Sequence, residues 1–232
     1  MTTIKKSMRT YILSEAADLH LFWFQMIMGV LFIVFQLGHM IHAMDTKGVS
    51  IALFASVIIF LMANMLMTYT SYKTNHSIRM LRALWVYAMW LLVHILIIIG
   101  LIWIRIATHL PLTYPADLRT IFLVLIGYGS IALVLWIKSF SSTISYTDPM
   151  IKGLVGIVAK SLPQFTMAIN IFSVGGSGHA AFAIVAANVT PLARILQLYF
   201  NPIHDGNRKW LLISEVSNEL TWAFVSLAWL LT

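Results

Sequence analysis

Residues 83–105 read ALWVYAMWLLVHILIIIGLIWIR, and the only charged side chain in this stretch is the arginine at its last position. A helix rises 1.5 Å per residue, so about 20 apolar residues cross the roughly 30 Å of hydrocarbon in a bilayer. The stretch is long enough and apolar enough to do so. It therefore predicts a transmembrane helix.

Comparable apolar stretches occur on both sides of this one, and the segments between them are short. The chain of 232 residues is 60% hydrophobic and only 10% charged, with a mean hydropathy of +0.87. A soluble domain of this length needs far more charge to cover its surface. The sequence predicts an all-α integral membrane protein with seven transmembrane helices and no soluble domain. The other six predicted helices are residues 20–43, 51–71, 119–139, 150–172, 179–200 and 210–231.

The distribution of lysine and arginine between the predicted helices indicates the orientation, because these residues concentrate in cytoplasmic loops. Ten lie on the side of the N-terminus and three on the other side. The N-terminus is therefore predicted to be cytoplasmic, in what we expect to be a bacterial inner (plasma) membrane. The pI of about 9.8 then reflects topology and not a nucleic-acid partner. The ten are Lys5, Lys6, Arg9, Lys73, Arg79, Arg82, Lys138, Lys152, Arg208 and Lys209, and the three are Lys47, Arg105 and Arg119.

The two halves of the chain carry similar features when the first half is shifted by about 125 residues. Such internal similarity is typical of transporters built from repeated units. The features coincide in each of three successive helices. The coinciding pairs are Gly38-His39 with Pro163-Gln164, Asn64 with Asn188, Tyr87 with Glu215, Trp90 with Asn218, and His94 with Trp222.

An odd helix between two three-helix units brings the second unit parallel to the first. We therefore predict two parallel three-helix repeats joined by a linker helix. The predicted segments are an N-terminal cytoplasmic segment at 1–19, a first repeat at 20–105, a linker with the fourth helix at 106–149 and a second repeat at 150–232.

The second repeat contains a motif that resembles the PQ-loop of the SWEET/PQ-loop transporter superfamily. The motif is a Pro-Gln pair in the first helix of a repeat, followed by a turn of small residues. Gly48-Val49-Ser50 resembles that turn in the first repeat, where Gly38-His39 stands in place of Pro-Gln. The residues that carry the resemblance in the second repeat are Leu162, Pro163, Gln164, Asn170, Ser173, Gly176 and Ser177.

The resemblance implies a membrane transporter that moves a small polar solute, such as a sugar, an amino acid or a vitamin, by alternating access. It implies a hinge at Pro163 and Gln164, and a substrate site lined by the second and third helices of each repeat. SWEET proteins are generally drawn with the N-terminus outside, which is opposite to the orientation that the charge count predicts.

Polar residues inside predicted membrane helices are costly, so each suggests a functional role. Glu215, Asn218, Glu219 and Trp222 follow the spacing i, i+3, i+4 and i+7, which places them on one helix face. The predicted substrate-binding residues are Asn64, Trp90, His94, Asn188, Asn218 and Trp222. The candidates for proton coupling are Glu219 and Glu215, and Lys160 is expected either to reach the interface or to pair with Glu219.

Other parts of the sequence resemble features of an enzyme or of a metal site. The turn Gly175–Gly178 resembles that of rhomboid proteases, but no base faces Ser177, so the sequence does not predict an enzyme. His39 and His42 are interpreted as satisfied or interfacial side chains and not as metal or haem ligands, so no metal or other cofactor is predicted. The alternative that stays open is a receptor or sorting protein of the same fold that binds a peptide or small ligand. The expected partners are a small polar solute and the bilayer, with a homo-oligomer left open.

Overall fold

The computed structural model describes residues 10–11, 14–139, 148–200 and 206–232, and its regular structure is helical throughout these ranges. Residues 1–9, most of the predicted N-terminal segment, and 140–147, part of the predicted linker, lie outside the described residues. The helices are α1 (Glu15–Ala43), α2 (Ile51–Asn75), α3 (Ile78–Ala107), α4 (Pro115–Ser139), α5 (Pro149–Gly156), α6 (Leu162–Val174), α7 (Ala181–Phe200) and α8 (Gly206–Leu230). A π-helical turn, Ile157–Ser161, joins α5 to α6 in one continuous rod.

Five of these segments are long and apolar enough to cross a membrane: α1 to α4 and the rod from Met150 to Val174. A sixth apolar helix, within α7, is shorter. Large apolar side chains also cover the outside of the bundle, with Leu66 67% exposed and Phe122 64% exposed. A surface of this kind suits hydrocarbon better than water. The predicted all-helical architecture is confirmed, and these helices indicate a multi-pass membrane protein. The count of seven spans stays a prediction.

Side-chain and backbone caps define where several helices begin and end. Ser50 accepts a hydrogen bond from the Leu53 amide at the start of α2, and Asp148 accepts one from the Met150 amide at the start of α5. These caps satisfy amide groups that have no partner within the first helical turn. Met44 and His76 adopt left-handed backbone conformations just after α1 and α2, which stops both helices.

The third helix of each predicted repeat lies against the other two. Helix α3 packs against α1 and α2, and α8 packs against the α5–α6 rod and α7. The two three-helix units meet where α1 contacts α7 and where α2 contacts the rod. Helix α4 packs against α2 and the rod, so it bridges the two units from outside.

The two ends of the bundle differ in chemistry. We call the end where α1 and α3 begin the basic end, and the opposite end, which holds residues 44–50 and 175–180, the turn end. The largest buried apolar side chains lie in the half of the bundle nearer the turn end. They include Met40, Leu53, Ile97, Leu101, Ile104, Met167 and Ile171, all at most 2% exposed. The bundle is therefore tightly packed toward the turn end.

A buried ion pair fixes the turn end to the linker helix. Arg105 is 0% exposed and lies 3.5 Å from the carboxylate of Asp117. Its guanidinium donates to the Val49 carbonyl at 2.9 Å and to the Leu112 carbonyl at 2.6 Å. Asp117 also accepts from the Ser50 hydroxyl at 2.7 Å. Arg105, treated above as a loop charge that reports topology, is thus a buried structural residue at the end of α3.

Candidate functional site

A cavity of about 440 Å³ lies between the two three-helix units. Helices α1, α2, α3, α7 and α8 and the α5–α6 rod all contribute to its wall. Residues near the basic end, such as Arg79, Lys152 and Leu211, line one part of it, and residues nearer the middle of the helices line the rest. A cavity of this volume fits a small organic molecule.

Three aromatic side chains close the cavity toward the turn end. Phe32, Phe54 and Trp222 line the cavity and also line a second void of only about 10 Å³ beyond it, which Gln36 and His179 also border. A void of that size holds about one water molecule. Between the described residues, the space behind these three side chains is therefore too narrow for a solute larger than water.

The side chain of Gln36 bonds across the interface between the two units. Its Nε2 donates to the Gly178 carbonyl at 2.8 Å, and its Oε1 accepts from the Ala180 amide at 3.1 Å. Gln36 is 2% exposed, so all of its polar atoms act inside the protein. One side chain of the first unit thus satisfies two backbone groups in the turn of the second unit.

The two turns at this end also contact each other through backbone and side-chain hydrogen bonds. We call residues 45–48 and 175–180 together the turn latch. The Gly178 amide donates to the Lys47 carbonyl at 3.1 Å, and the Ser177 hydroxyl donates to the Asp45 carboxylate at 2.5 Å. The His39 ring nitrogen Nε2 lies 2.7 Å from the Ser177 carbonyl oxygen. These bonds all connect the first unit to the second.

Two glycines allow the turns to come this close. Gly48 has a φ of +80°, and a Cβ there would lie 2.7 Å from the Gly175 carbonyl oxygen. A Cβ on Gly178 would lie 2.7 Å from backbone atoms of Lys47 and Thr46. Any larger residue at Gly178 has to push one turn away from the other. Beside them, burial lowers the pKa of His179 to about 4, so this side chain is neutral inside the latch at pH 7.

Five of the six predicted substrate-binding residues line the cavity: Asn64, Trp90, His94, Asn218 and Trp222. Asn64 donates to the Phe60 carbonyl of its own helix at 2.8 Å, and His94 Nδ1 lies 2.7 Å from the Trp90 carbonyl oxygen. Within the described residues, the Asn64 amide oxygen and His94 Nε2 make no hydrogen bond to their own helices. The arrangement offers polar atoms and aromatic faces in one space.

Asn188 is placed differently from its counterpart Asn64. It does not line the cavity. Its Nδ2 donates to the Ile184 carbonyl at 2.7 Å and to the Ser226 hydroxyl at 2.9 Å, which joins α7 to α8. The matching positions in the two halves of the sequence therefore do not give matching roles in the site.

The predicted hinge residues lie directly after the π-helical turn. Proline has no amide hydrogen, so Pro163 cannot complete the α-helical bonding of the preceding turn. The Leu162 amide bonds instead to the Ile157 carbonyl, five residues back. This turn contains one residue more than an α-helical turn. Lys160, within this turn, and Gln164, just after it, both line the cavity.

Gln164 connects the rod to α8. Its Nε2 donates to Asn218 Oδ1 at 2.8 Å, and its Oε1 accepts from the Thr221 hydroxyl at 2.5 Å. When the amide oxygen and nitrogen of Gln164 exchange places by a 180° rotation, the oxygen instead accepts from Trp222 Nε1 at 2.8 Å. Gln164 is 3% exposed. It is positioned to hold the site residues of α8 at the point where the rod is irregular.

The two acidic candidates on α8 have different surroundings. Lys160 Nζ lies 3.2 Å from Glu215 and 4.8 Å from the centre of the Phe60 ring. The ion pair expected between Lys160 and Glu219 is therefore made with Glu215 instead. Glu219 lies outside the cavity lining, and its Oε2 is buried with no hydrogen-bond partner among the described residues.

The sequence alone did not identify several charged residues of the cavity wall. Arg79 and Lys152 were interpreted as reporters of topology, and Arg194 was not considered. Arg82 pairs with Asp18 at 2.8 Å near the start of α1. Arg194 could have been found, because it interrupts an apolar stretch in the predicted helix 179–200.

Comparison with protein-family models, curated proteins and solved structures finds no match to this chain. The proposed function therefore rests on the fold and on the geometry of the cavity.

Proposed function

We propose that this chain is a SWEET/PQ-loop-like membrane transporter with seven spans, which moves a small polar solute by alternating access. The observation that carries the proposal is a cavity between two three-helix units, closed at the turn end by contacts between their turns. A carrier needs one site that opens to each side in turn, and an interface between two units provides it.

In the proposed transport cycle, this structure is the conformation whose cavity is open toward the cytoplasm. The N-terminus is cytoplasmic, so the basic end faces the cytoplasm and the cavity is reached from there. Opening to the other side requires the turn latch to separate. The π-helical turn and Pro163 supply a point where the rod bends while its ends stay helical.

The test is a thermal-stability screen of detergent-purified protein, followed by counterflow in proteoliposomes. Sugars, amino acids, nucleosides and vitamin precursors are screened first, because a ligand that binds only the folded state raises its stability by mass action. A ligand at 100 times its Kd stabilises by about 2.7 kcal/mol. Ligands that stabilise the protein are then tested for exchange across the membrane. Binding without any exchange contradicts the proposal.

We expect Asn218→Ala to abolish uptake while folded protein stays in the membrane. The change removes a buried amide from the cavity wall and leaves Gln164 without one of its partners. Asn188→Ala is the matched control, because that amide joins two helices outside the cavity. Normal uptake by the Asn218 variant, or equal loss in both variants, contradicts the site assignment.

We expect uptake to depend on an imposed pH gradient, and Glu219→Gln to remove that dependence. One carboxylate oxygen of Glu219 is buried without a partner among the described residues, which is costly when the group is charged, so this position favours exchange of a proton during the cycle. Glu215→Gln is the control, because Lys160 already compensates the Glu215 charge. Equal uptake by the wild-type protein with and without the pH gradient rules out proton coupling.

A receptor that binds a peptide or small ligand is the second candidate. The observation in its favour is the number of charged residues in the cavity wall. A receptor binds its ligand and changes conformation without moving the ligand across the bilayer. Counterflow separates the two functions, since only a carrier exchanges internal for external solute.

A further inference from the structure

The described wall of the cavity has an excess of positive charge. Seven of its residues are aspartate, glutamate, lysine or arginine, five of them basic and two acidic. The basic residues therefore outnumber the acidic ones by three. The basic residues are Arg79, Arg82, Lys152, Lys160 and Arg194, and the acidic residues are Asp18 and Glu215.

Both acidic side chains are already engaged by basic ones. Asp18 lies 2.8 Å from Arg82, and Glu215 lies 3.2 Å from Lys160. Arg79 and Lys152 have no carboxylate within 4 Å in the described parts of the chain. The positive charge of the wall thus exceeds what its own carboxylates neutralise.

Membrane topology alone explains only part of this charge. Arg79 and Lys152 lie near helix ends at the basic end, where cytoplasmic basic residues are common. Lys160 is 11 residues into the rod, about 16 Å along its axis at 1.5 Å per residue. A lysine so far from the helix end is costly unless it faces a polar space. Because Lys160 lines the cavity, it places a positive charge deep inside the bundle.

We propose that the ligand of this cavity is a small organic anion with a carboxylate or phosphate group. The inference rests on the proposed function, because it names the solute class of the same site. The basic side chains attract and bind the anionic group, and charge-assisted hydrogen bonds of this kind are the strong ones. Trp90, Trp222 and Phe32 offer aromatic surface for the remaining body of the molecule.

The experiment compares anions with neutral molecules of nearly the same shape. Purified protein is titrated with benzoate against benzamide, succinate against succinamide, and glucose 6-phosphate against glucose, and thermal stability is the readout. At least one of these anions is expected to raise the melting temperature at concentrations where its neutral partner does not. Added salt is expected to weaken the effect, since ions screen the attraction.

Charge-removing variants place the binding in the cavity. Arg79→Gln and Lys152→Gln are each expected to weaken anion binding by roughly tenfold, the loss of about one charge-assisted hydrogen bond. Lys73→Gln is the matched control, because that lysine is exposed at the same end and outside the cavity wall. It is expected to leave the affinity unchanged. Equal weakening by all three variants overturns the placement in the cavity.

The outcomes separate this inference from the transport proposal. Equal stabilisation by the neutral partners, or no stabilisation by any anion in monodisperse protein, overturns the anion class. Stabilisation by phosphatidylglycerol added in mixed detergent micelles, but by none of the soluble anions, also overturns it, because the basic side chains then bind a lipid headgroup. Anion binding without counterflow supports the inference and contradicts transport.

Discussion

Replacing Asp117 by alanine is expected to destabilise the protein by about 3–5 kcal/mol, because the change leaves the buried guanidinium of Arg105 without its counterion. The carboxylate also accepts hydrogen bonds from Ser50 and from the Ala52 and Tyr114 amides. The bonds from Ser50 and Ala52 hold the start of α2 to the start of α4, and the bond from Tyr114 caps α4 itself. Their loss therefore weakens the attachment of the first unit to the linker helix.

The midpoint of thermal unfolding in detergent, followed by tryptophan fluorescence, measures this effect. Arg119→Gln is the control, since that arginine is exposed two residues along the same helix. It is expected to change stability by less than about 0.5 kcal/mol. The double variant Arg105→Met, Asp117→Ala is expected to lose less than the two single variants added together. Strict additivity would show that the two residues do not act as a pair.

Gly178→Ala is expected to open the turn end of the protein. The added methyl group would lie 2.7 Å from backbone atoms of the opposite turn, closer than packed atoms tolerate. Backbone cannot rotate away as a side chain can, so the turns must separate. We expect the variant to favour a conformation in which the latch is broken and the void beyond Trp222 is reached from the turn end.

The absence of native cysteine makes this change measurable by thiol labelling. A cysteine introduced at Ala183, which is 1% exposed and borders that void, reports access from the turn end. A membrane-impermeant maleimide is expected to label it at least tenfold faster in the Gly178→Ala background. Gly129→Ala is the control, because a Cβ there meets nothing within 4 Å. Unchanged labelling of folded protein in sealed membranes that expose the turn end to the reagent contradicts a role of Gly178 in closing this end.

The helices could be predicted from the sequence because their lengths and apolar character follow directly from the thickness of a bilayer. The face of α8 that carries Glu215, Asn218 and Trp222 could be predicted for a similar reason, since helical spacing alone brings these residues together. The partner of Lys160 could not be predicted in this way. Glu215 and Glu219 are one turn apart, so helical spacing does not say which of them the lysine meets, and only the packing of the rod against α8 places it beside Glu215.

Long-range contacts were the other part that the sequence did not reveal. Arg105 and Asp117 are 12 residues apart, and only the path of residues 108–114 brings them together in the interior. Asn64 and Asn188 occupy matching places in the sequence, yet one lines the cavity and the other joins two helices. Asn188 has a partner on α8, Ser226, whereas Asn64 donates to a carbonyl of its own helix.

The π-helical turn also has a consequence for how this chain can change over generations. Each residue added to an α-helix rotates the rest of that helix by about 100° around its axis. An extra residue without a π-helical turn would rotate α5 against α6 by that angle. The wide turn at 157–161 instead holds its extra residue within itself, so α5 and α6 keep nearly the directions they would have in an uninterrupted helix. Loss of one residue there would restore an ordinary helix without redirecting either α5 or α6. A substitution at Lys160 alters the charge of the wall, whereas the length of this turn can change by one residue and leave both helix faces in place.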